Sequence, residues 1–100
     1  MTNYATGRRF EWKRRDHWES LGYVVVRSAG SKSPIDLVAF SPTGGVLAIQ
    51  CKVVQTEADA SRLVVEFRNN PPLPLRGKLG PTQMMEVYIR KTKRVESAWF

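Results

Sequence analysis

The chain has 100 residues, with one cysteine, 42% hydrophobic residues and a formal net charge of +7 at pH 7. This length supplies a single domain, and we expect an intracellular protein because the sequence shows no apolar run long enough to span a membrane, no apolar signal segment and no second cysteine for a disulfide. The positive charge favours a polyanionic partner, and nucleic acid before a membrane, because no basic amphipathic helix with a broad apolar face is present.

The first predicted element is a helix that follows a flexible arm over residues 1–6. Thr6 and Gly7 offer a helix start, no proline or glycine interrupts residues 8–21, and Gly22 predicts the C-terminal stop. At helical spacing one apolar stripe should pack against a sheet, and it comprises Phe10, His17, Trp18 and Leu21.

Two side chains of this helix stand apart from the apolar stripe. Glu11 lies at its margin, where a carboxylate can lean over the end of a sheet towards a metal ion, and a solvated residue near the helix N-terminus is the alternative. Trp12 lies on the opposite face, which indicates a partner surface or a stacking contact. The helix also carries an almost one-signed run of basic residues, which favours phosphate contacts over a merely solvated face: Arg8, Arg9, Lys13, Arg14 and Arg15.

A short strand and a loop of small residues follow the helix. Residues 23–27 have the sequence Tyr-Val-Val-Val-Arg, which predicts a short buried strand. Residues 28–34 are mostly serine, alanine and glycine, and the backbone amides and hydroxyls of such a loop can approach a phosphate closely. A plain turn explains the same composition equally well.

The segment from Pro34 to Lys52 is predicted to be a β-hairpin, because two apolar runs flank a Ser-Pro-Thr-Gly-Gly turn. Successive side chains of a strand point to opposite faces, so Gln50 and Lys52 share one face while Cys51 lies on the other as a buried packing residue. If the strands pair so that Asp36 lies near Gln50, a carboxylate, an amide oxygen and an ammonium group meet on one face.

Such a cluster suits metal-assisted hydrolysis of a phosphodiester. Mg²⁺ prefers oxygen ligands, here Asp36 and the Gln50 carbonyl, and it polarises the phosphate and lowers the pKa of a bound water. Lys52 could orient or deprotonate the attacking water, or offset charge that develops on the phosphate. The alternative is a surface hairpin whose polar residues are only solvated.

The spacing from Asp36 to the Gln-Cys-Lys sequence at 50–52 resembles the metal motif of the PD-(D/E)xK nuclease superfamily. With Glu11 on the first helix and the more distinctive Arg-Ser-Ala-Gly-Ser loop at 27–31, the first half of the chain is similar to the archaeal-type Holliday junction resolvases. These are homodimeric, Mg²⁺-dependent members of that superfamily. The resemblance implies a restriction-endonuclease-like α/β fold and an endonuclease that makes paired nicks in four-way DNA junctions.

The resemblance also implies a role for individual residues. Glu11 would supply a carboxylate to the metal site, Asp36 its central ligand and Lys52 the motif lysine. Arg27 would act in the reaction or on DNA, and Ser31 would lie near the scissile phosphate. The expected ligands of Mg²⁺, or of Mn²⁺ in its place, are Glu11, Asp36, Gln50 and the backbone carbonyl of Cys51. The expected DNA contacts are Arg8, Arg9, Arg14, Arg15, Arg27, Lys32, Arg76 and Lys78.

Gln50 departs from the resolvase pattern, which usually has a glutamate at this position. Glutamine still offers an oxygen, but the site loses one negative charge and should hold Mg²⁺ less tightly. Two alternatives to a junction resolvase therefore stay open. One is a nuclease of the same fold that cuts modified, damaged or linear duplex DNA, and the other is a DNA-binding module that has lost catalysis.

The second half of the chain resembles the resolvases less. Thr56 can cap a helix that has an acidic first turn, and this helix should bury Leu63, Val64 and Phe67. Residues 69–82 are rich in proline and glycine, which predicts a loop that either faces DNA or is a disordered linker.

Two more strands are predicted after this loop. Residues 85–89 alternate Met, Val and Ile with polar side chains, which predicts a half-buried strand, and a turn then leads to a last strand that ends at Phe100. Trp99 and Phe100 need a dry surface, either in the core or, as we favour, in a dimer interface together with Trp12. The complete expectation is one α/β domain over residues 1–100, in which helices flank a mixed sheet of about five strands.

Overall fold

The structure is a computed structural model that describes residues 3–28, 34–71 and 82–99. Its elements in chain order are α1 (Asn3–Ser20), β1 (Val24–Arg27), β2 (Leu37–Phe40), β3 (Val46–Val54), α2 (Glu57–Asn69), β4 (Thr82–Ile89) and β5 (Arg94–Trp99). They form the α/β arrangement expected from the sequence, with five strands and two helices. Neither helix, over the residues described, is long and apolar enough to cross a membrane.

The five strands lie in the sheet in chain order, from β1 at one edge to β5 at the other. β3 and β4 pair in parallel, and every other neighbouring pair is antiparallel. A parallel pair needs a crossover connection, and α2 lies in that connection. α1 packs mainly against β1, β2 and β3, whereas α2 packs against β3, β4 and β5. Each helix therefore covers only part of its face of the sheet.

The two faces of the sheet bury separate apolar clusters. Under α1 the buried members are Trp18, Leu37, Ala39, Ile49 and Met84. Under α2 the buried members are Ala60, Phe67, Met85, Val87, Ile89 and Ala98. The strands in the middle of the sheet supply both clusters, because alternate side chains of a strand that is covered on both faces enter opposite layers.

The two ends of α1 relate differently to the sequence prediction. Residues 3–6, which we expected in a flexible arm, are helical, because a helix tolerates an early glycine at a cost of about 1 kcal/mol. At the other end Gly22 has a φ of 92°, and the N–H groups of Tyr23 and Gly22 donate to the carbonyls of Trp18 and Glu19. This pattern is a Schellman motif, so the predicted stop at Gly22 is confirmed.

The packed face of α1 is narrower than its sequence predicts. Phe10 and Trp18 are buried, but His17 and Leu21, which we expected on the same stripe, are exposed. Leu21 lies beyond the last helical residue, in the turn that leads to β1. The Trp18 ring instead packs edge-on against Tyr23, with 5.0 Å between the ring centroids. This contact joins the end of the helix to the sheet.

The burial of two strands also differs from the prediction. β1 was expected to be buried, but it is an edge strand whose Val24 and Val26 are exposed, because α2 does not reach this end of the sheet. β4 was expected to be half-buried, but both of its faces are buried. Met84 and Glu86 are buried on the α1 face, and apolar residues are buried on the α2 face. Side chains of both helices reach β4, which is why its alternating sequence does not produce an exposed face.

The start of α2 is fixed by a side-chain cap, as the sequence predicts. Thr56 Oγ1 accepts a hydrogen bond from the backbone N–H of Asp59 at 3.3 Å. Thr56→Ala should lower the free energy of unfolding in urea by about 1 kcal/mol, because this N–H loses its partner. Thr92→Ala, in an exposed turn, is the control and should leave stability unchanged. Equal losses in the two variants would contradict the cap.

Candidate metal and nucleic-acid site

The hairpin of β2 and β3 has the register that a shared metal site requires. Leu37 pairs with Ile49 at the end of the ladder, so Asp36 comes opposite Gln50. β2 begins only at Leu37 whereas β3 continues to Val54, so among the described residues this last part of β3 pairs on its β4 side alone. We call the edge of β3 at residues 50–54 the sheet opening. Side chains from both faces of the sheet can converge there.

Asp36 is held at the sheet opening by its backbone and by its side chain. Its N–H donates to the carbonyl of Ile49 at 2.9 Å, and its Oδ2 accepts from the backbone N–H of Cys51 at 2.7 Å. Burial raises the pKa of Asp36, and this effect exceeds the opposing effects of the Cys51 hydrogen bond and the charges of Lys52 and Arg27. The carboxylate is therefore oriented but poorly solvated, and a cation placed beside it would stabilise its charged form.

Glu11 of α1 reaches the same end of the sheet. Its Oε1 accepts a hydrogen bond from Nε of Arg27, the last residue of β1, at 3.2 Å. Burial raises the pKa of the Cys51 thiol well above its ordinary value, and the negative charges of Glu86, Asp36 and Glu11 raise it further. Ser28, which follows Arg27 in the chain, donates its backbone N–H to the carbonyl of Asp36 at 2.8 Å. The Glu11–Arg27 pair therefore lies next to the segment that carries Asp36.

The carboxylate and amide oxygens near the sheet opening are of the kind that a hard cation binds. Among the described residues, no three His, Cys, Asp or Glu side chains are grouped so that they could hold a metal ion. Gln50 is half-buried, and its amide forms no hydrogen bond to any part of residues 3–28, 34–71 or 82–99. Gln50 lies opposite Asp36 in the strand register, and an amide oxygen that has no partner among the described residues is available to a cation.

Lys52 is exposed and lies where two surface cavities meet. One cavity, of about 280 Å³, extends from Lys52 over Gln50 to Phe67 of α2. The other, of about 290 Å³, extends from Lys52 to Thr6 of α1 and to Arg90 after β4. A polyanion that lies in either cavity would therefore contact the Lys52 ammonium group.

Comparison with solved structures identifies the fold. The chain matches the structure of Hjc, a Holliday junction resolvase from the archaeal hyperthermophile Archaeoglobus fulgidus, with a TM-score of 0.58 and 20% sequence identity, covering 94% of this chain and 72% of that chain. The fold of this chain is therefore similar to that of an archaeal resolvase. The similarity to Hjc confirms the expected restriction-endonuclease-like α/β fold. No protein-family model matches the chain, and neither does the sequence of any curated protein.

On this resolvase-like fold the basic residues that we expected to contact DNA have different environments. Arg8 and Arg9 are exposed on α1, and Arg15 pairs with carboxylates of its own helix. Arg14 is turned inward to the buried Glu86 and is 17% exposed, and its expected DNA contact stays a prediction. Residues predicted for the site or the dimer interface that lie outside the described part of the chain are Ser31, Lys32, Arg76, Lys78 and Phe100.

A buried carboxylate that the sequence analysis did not single out lies beneath α1. Glu86 of β4 is fully buried, and its two oxygens accept hydrogen bonds from Arg14 and from Trp18 Nε1, the latter at 3.0 Å. The parallel pairing of β3 and β4 places Glu86 beside Cys51. The sequence contains one signal for such a shared partner. Arg14 and Trp18 are four residues apart and therefore lie on one face of the helix.

Proposed function

We propose that the chain is a divalent-metal-dependent DNA endonuclease that acts on four-way junctions as a homodimer. The observation that carries the proposal is the placement of Asp36, whose carboxylate is fixed by Cys51 N–H at the sheet opening, opposite Gln50 and next to the strand end where Arg27 pairs with Glu11. The Hjc-like fold and the net charge of +7 support it, because a DNA junction is a dense polyanion.

In this proposal Glu11, Asp36 and Gln50 together hold one Mg²⁺ ion. The ion, when bound, would polarise the scissile phosphate and lower the pKa of a water molecule. Lys52 orients the attacking water or offsets the charge that develops on the phosphate. Arg27 pairs with Glu11 and its charge also acts on Asp36, so it is placed to bind a phosphate oxygen at the same site.

The homodimer is proposed to form through exposed apolar side chains. Trp12 and Trp99 are 47% and 49% exposed. A second apolar surface is formed by Val24, Val26 and Phe40 on the face of β1 and β2 that α2 does not cover. Dimerisation through either group of side chains would remove their apolar surface from water. Exposed aromatic and β-branched groups of this kind are typical of protein interfaces.

A synthetic four-way junction incubated with the protein, with and without Mg²⁺, tests the proposed activity. Symmetrical nicks in opposing strands that need Mg²⁺ support a junction resolvase. Cuts in linear duplex would indicate a nuclease of the same fold with another substrate. A gel shift without products would indicate a DNA-binding module without catalysis, a function that the neutral side chain of Gln50 permits.

Gln50→Glu should lower the Mg²⁺ concentration for half-maximal cleavage by about tenfold, because the third ligand becomes an anion. A Mg²⁺ titration in the junction assay measures this shift. Asn69→Asp is the matched control, since it also replaces an amide by a carboxylate, at the exposed last residue of α2. Equal shifts in the two variants would show that bulk charge, and not ligation at Gln50, sets the Mg²⁺ requirement.

A further inference from the structure

A third cavity lies between α1 and the β4–β5 side of the sheet, away from Asp36 and Gln50. Its volume is about 300 Å³. We call it the basic cavity, and its lining residues are Thr6, Arg9, Phe10, Lys13, Arg14, Tyr88, Arg90 and Val95. Pockets that hold small organic ligands begin at about this volume, so the basic cavity can take one compact group.

The wall of the basic cavity carries three cations that have no counter-charge among the described residues. In the part of the chain that the structure describes, Arg9, Lys13 and Arg90 form no ion pair. Glu86 lies beneath this wall, but it is fully buried and already bound by Arg14. Arg14 Nε is itself buried with no hydrogen-bond partner among the described residues. An anion in the basic cavity would therefore meet cations that the protein has left unneutralised.

The floor of the basic cavity is apolar and aromatic. The rings of Phe10 and Tyr88 lie with their centroids 5.6 Å apart and their planes inclined by 33°. Val95 of β5 is exposed beside them. A flat apolar ring gains contact area on such a floor, whereas a bare phosphate gains nothing from it. The floor and the wall together suit a ligand that joins an aromatic ring to a phosphate.

The basic cavity is continuous with the candidate metal site along the surface. It shares Thr6 and Arg90 with the cavity that reaches Lys52. That cavity in turn meets, at Lys52, the one that extends over Gln50. The cations along this path would follow the phosphates of a single DNA strand, because each nucleotide carries one negative charge.

We propose that the basic cavity binds one unpaired nucleotide of a DNA strand whose phosphodiester lies at the sheet opening. The base packs on Tyr88 and Val95, beside the buried ring of Phe10. The adjacent phosphate contacts Arg9, Lys13 and Arg90. The base must be unpaired, because a base inside a duplex has both of its faces stacked on neighbours. This inference rests on the proposed function only in taking the bound strand to be the DNA strand that is cut. It assigns DNA with unpaired nucleotides near the cut as the substrate class.

Binding of a labelled single-stranded oligonucleotide, measured without Mg²⁺, tests the basic cavity separately from cleavage. Arg9→Glu should weaken binding by about tenfold or more. Arg68→Glu makes the same charge change on an exposed site of α2, on the other face of the sheet, and should weaken binding by less than about threefold. Equal losses in the two variants would overturn the proposal, because diffuse attraction would then explain the binding.

Tyr88→Leu and Val95→Trp test the contact with a base without changing the charge. The first removes part of the aromatic floor, and the second fills the cavity from an exposed position, so it tests the same contact if the first variant does not fold. Each should weaken binding of the oligonucleotide by about five- to tenfold, and should leave binding of an abasic strand of the same length unchanged. Equal effects on both strands, or no effect on either, would overturn the base contact.

A free nucleotide has the same chemistry as a nucleotide in a strand, and competition with dAMP distinguishes the two. Displacement of the oligonucleotide by dAMP, lost in Tyr88→Leu, supports a cavity that accepts a free nucleotide. A failure of dAMP to displace the strand, with the Tyr88→Leu effect intact, supports recognition within a strand. A junction assay with no cleavage products would overturn the proposed function and leave these binding results standing.

Discussion

Asp36→Asn should reduce Mg²⁺-dependent cleavage of a four-way junction by at least about a hundredfold, because the central ligand loses its charge. Junction binding should stay within about threefold of the native value, since phosphate contacts elsewhere supply the affinity. The asparagine oxygen can still accept the hydrogen bond from Cys51 N–H, so the fold should be kept. Cleavage and gel-shift assays on the same preparation measure both quantities.

Asp16→Asn is the matched control for this change. Asp16 is an exposed carboxylate of α1 that pairs with Arg15, so its replacement removes the same charge away from the sheet opening. It should cut the junction at the native rate. If Asp36→Asn also cut at close to the native rate, the carboxylate of Asp36 would have no part in catalysis.

Asp36→Asn should also make the protein more stable at neutral pH. Burial raises the pKa of Asp36 above its ordinary value of 3.8, so the folded chain binds this proton more tightly than the unfolded chain does. The stabilisation that this proton provides is complete below pH 3.8 and is lost as the pH rises through the folded-state pKa. Urea denaturation should therefore show the advantage of Asp36→Asn growing across that window. A difference that is independent of pH would contradict a buried, charged Asp36.

Glu86→Gln should lower the free energy of unfolding by about 3 kcal/mol, the largest stability effect that we expect from one neutral substitution. The change keeps the shape of the side chain but leaves the guanidinium of Arg14 without its anion, and the Nε of Arg14 already lacks a partner among the described residues. Urea denaturation at pH 7 measures the loss. Glu66→Gln, on the exposed surface of α2, is the control and should be neutral.

The combined variant Arg14→Met and Glu86→Met distinguishes the cost of leaving one buried charge unpaired from the net contribution of the ion pair to stability. Two apolar side chains of similar volume avoid the desolvation of both charges, so stability should return to within about 1 kcal/mol of the native value. A loss as large as that of Glu86→Gln would indicate that the ion pair itself, together with the Trp18 hydrogen bond, is needed for packing. The Arg14–Glu86 pair also helps to position Glu11. Arg14 lies one helical turn from Glu11 and holds that part of α1 against β4.

The features that the sequence predicts well depend on residues close together in the chain. The stop of α1 at Gly22 and the cap of α2 at Thr56 each follow from a few neighbouring residues. The hairpin and the shared face of Gln50 and Lys52 also follow from local rules, and the structure adopts the register, Asp36 opposite Gln50, that the sequence analysis named as a condition. Local rules therefore predict the hairpin, and the register of the structure places its two site residues side by side.

The features that the sequence did not predict depend on which element covers which strand. Val24 and Val26 belong to an apolar run and are nevertheless exposed, because α2 covers the other end of the sheet. Glu86 alternates with apolar residues and is nevertheless buried, because it pairs with Arg14, 72 positions earlier in the chain. A helix wheel cannot reveal such a partner.

The proposed activity depends on one divalent ion being held at the sheet opening by oxygens of α1 and of the hairpin. Anomalous diffraction from crystals soaked in Mn²⁺ measures this directly. We expect one peak at bonding distance from Asp36 and Gln50, with the Glu11 carboxylate turned from Arg27 towards it. A peak at another place in the molecule, or none at saturating Mn²⁺, would contradict a metal site at the sheet opening.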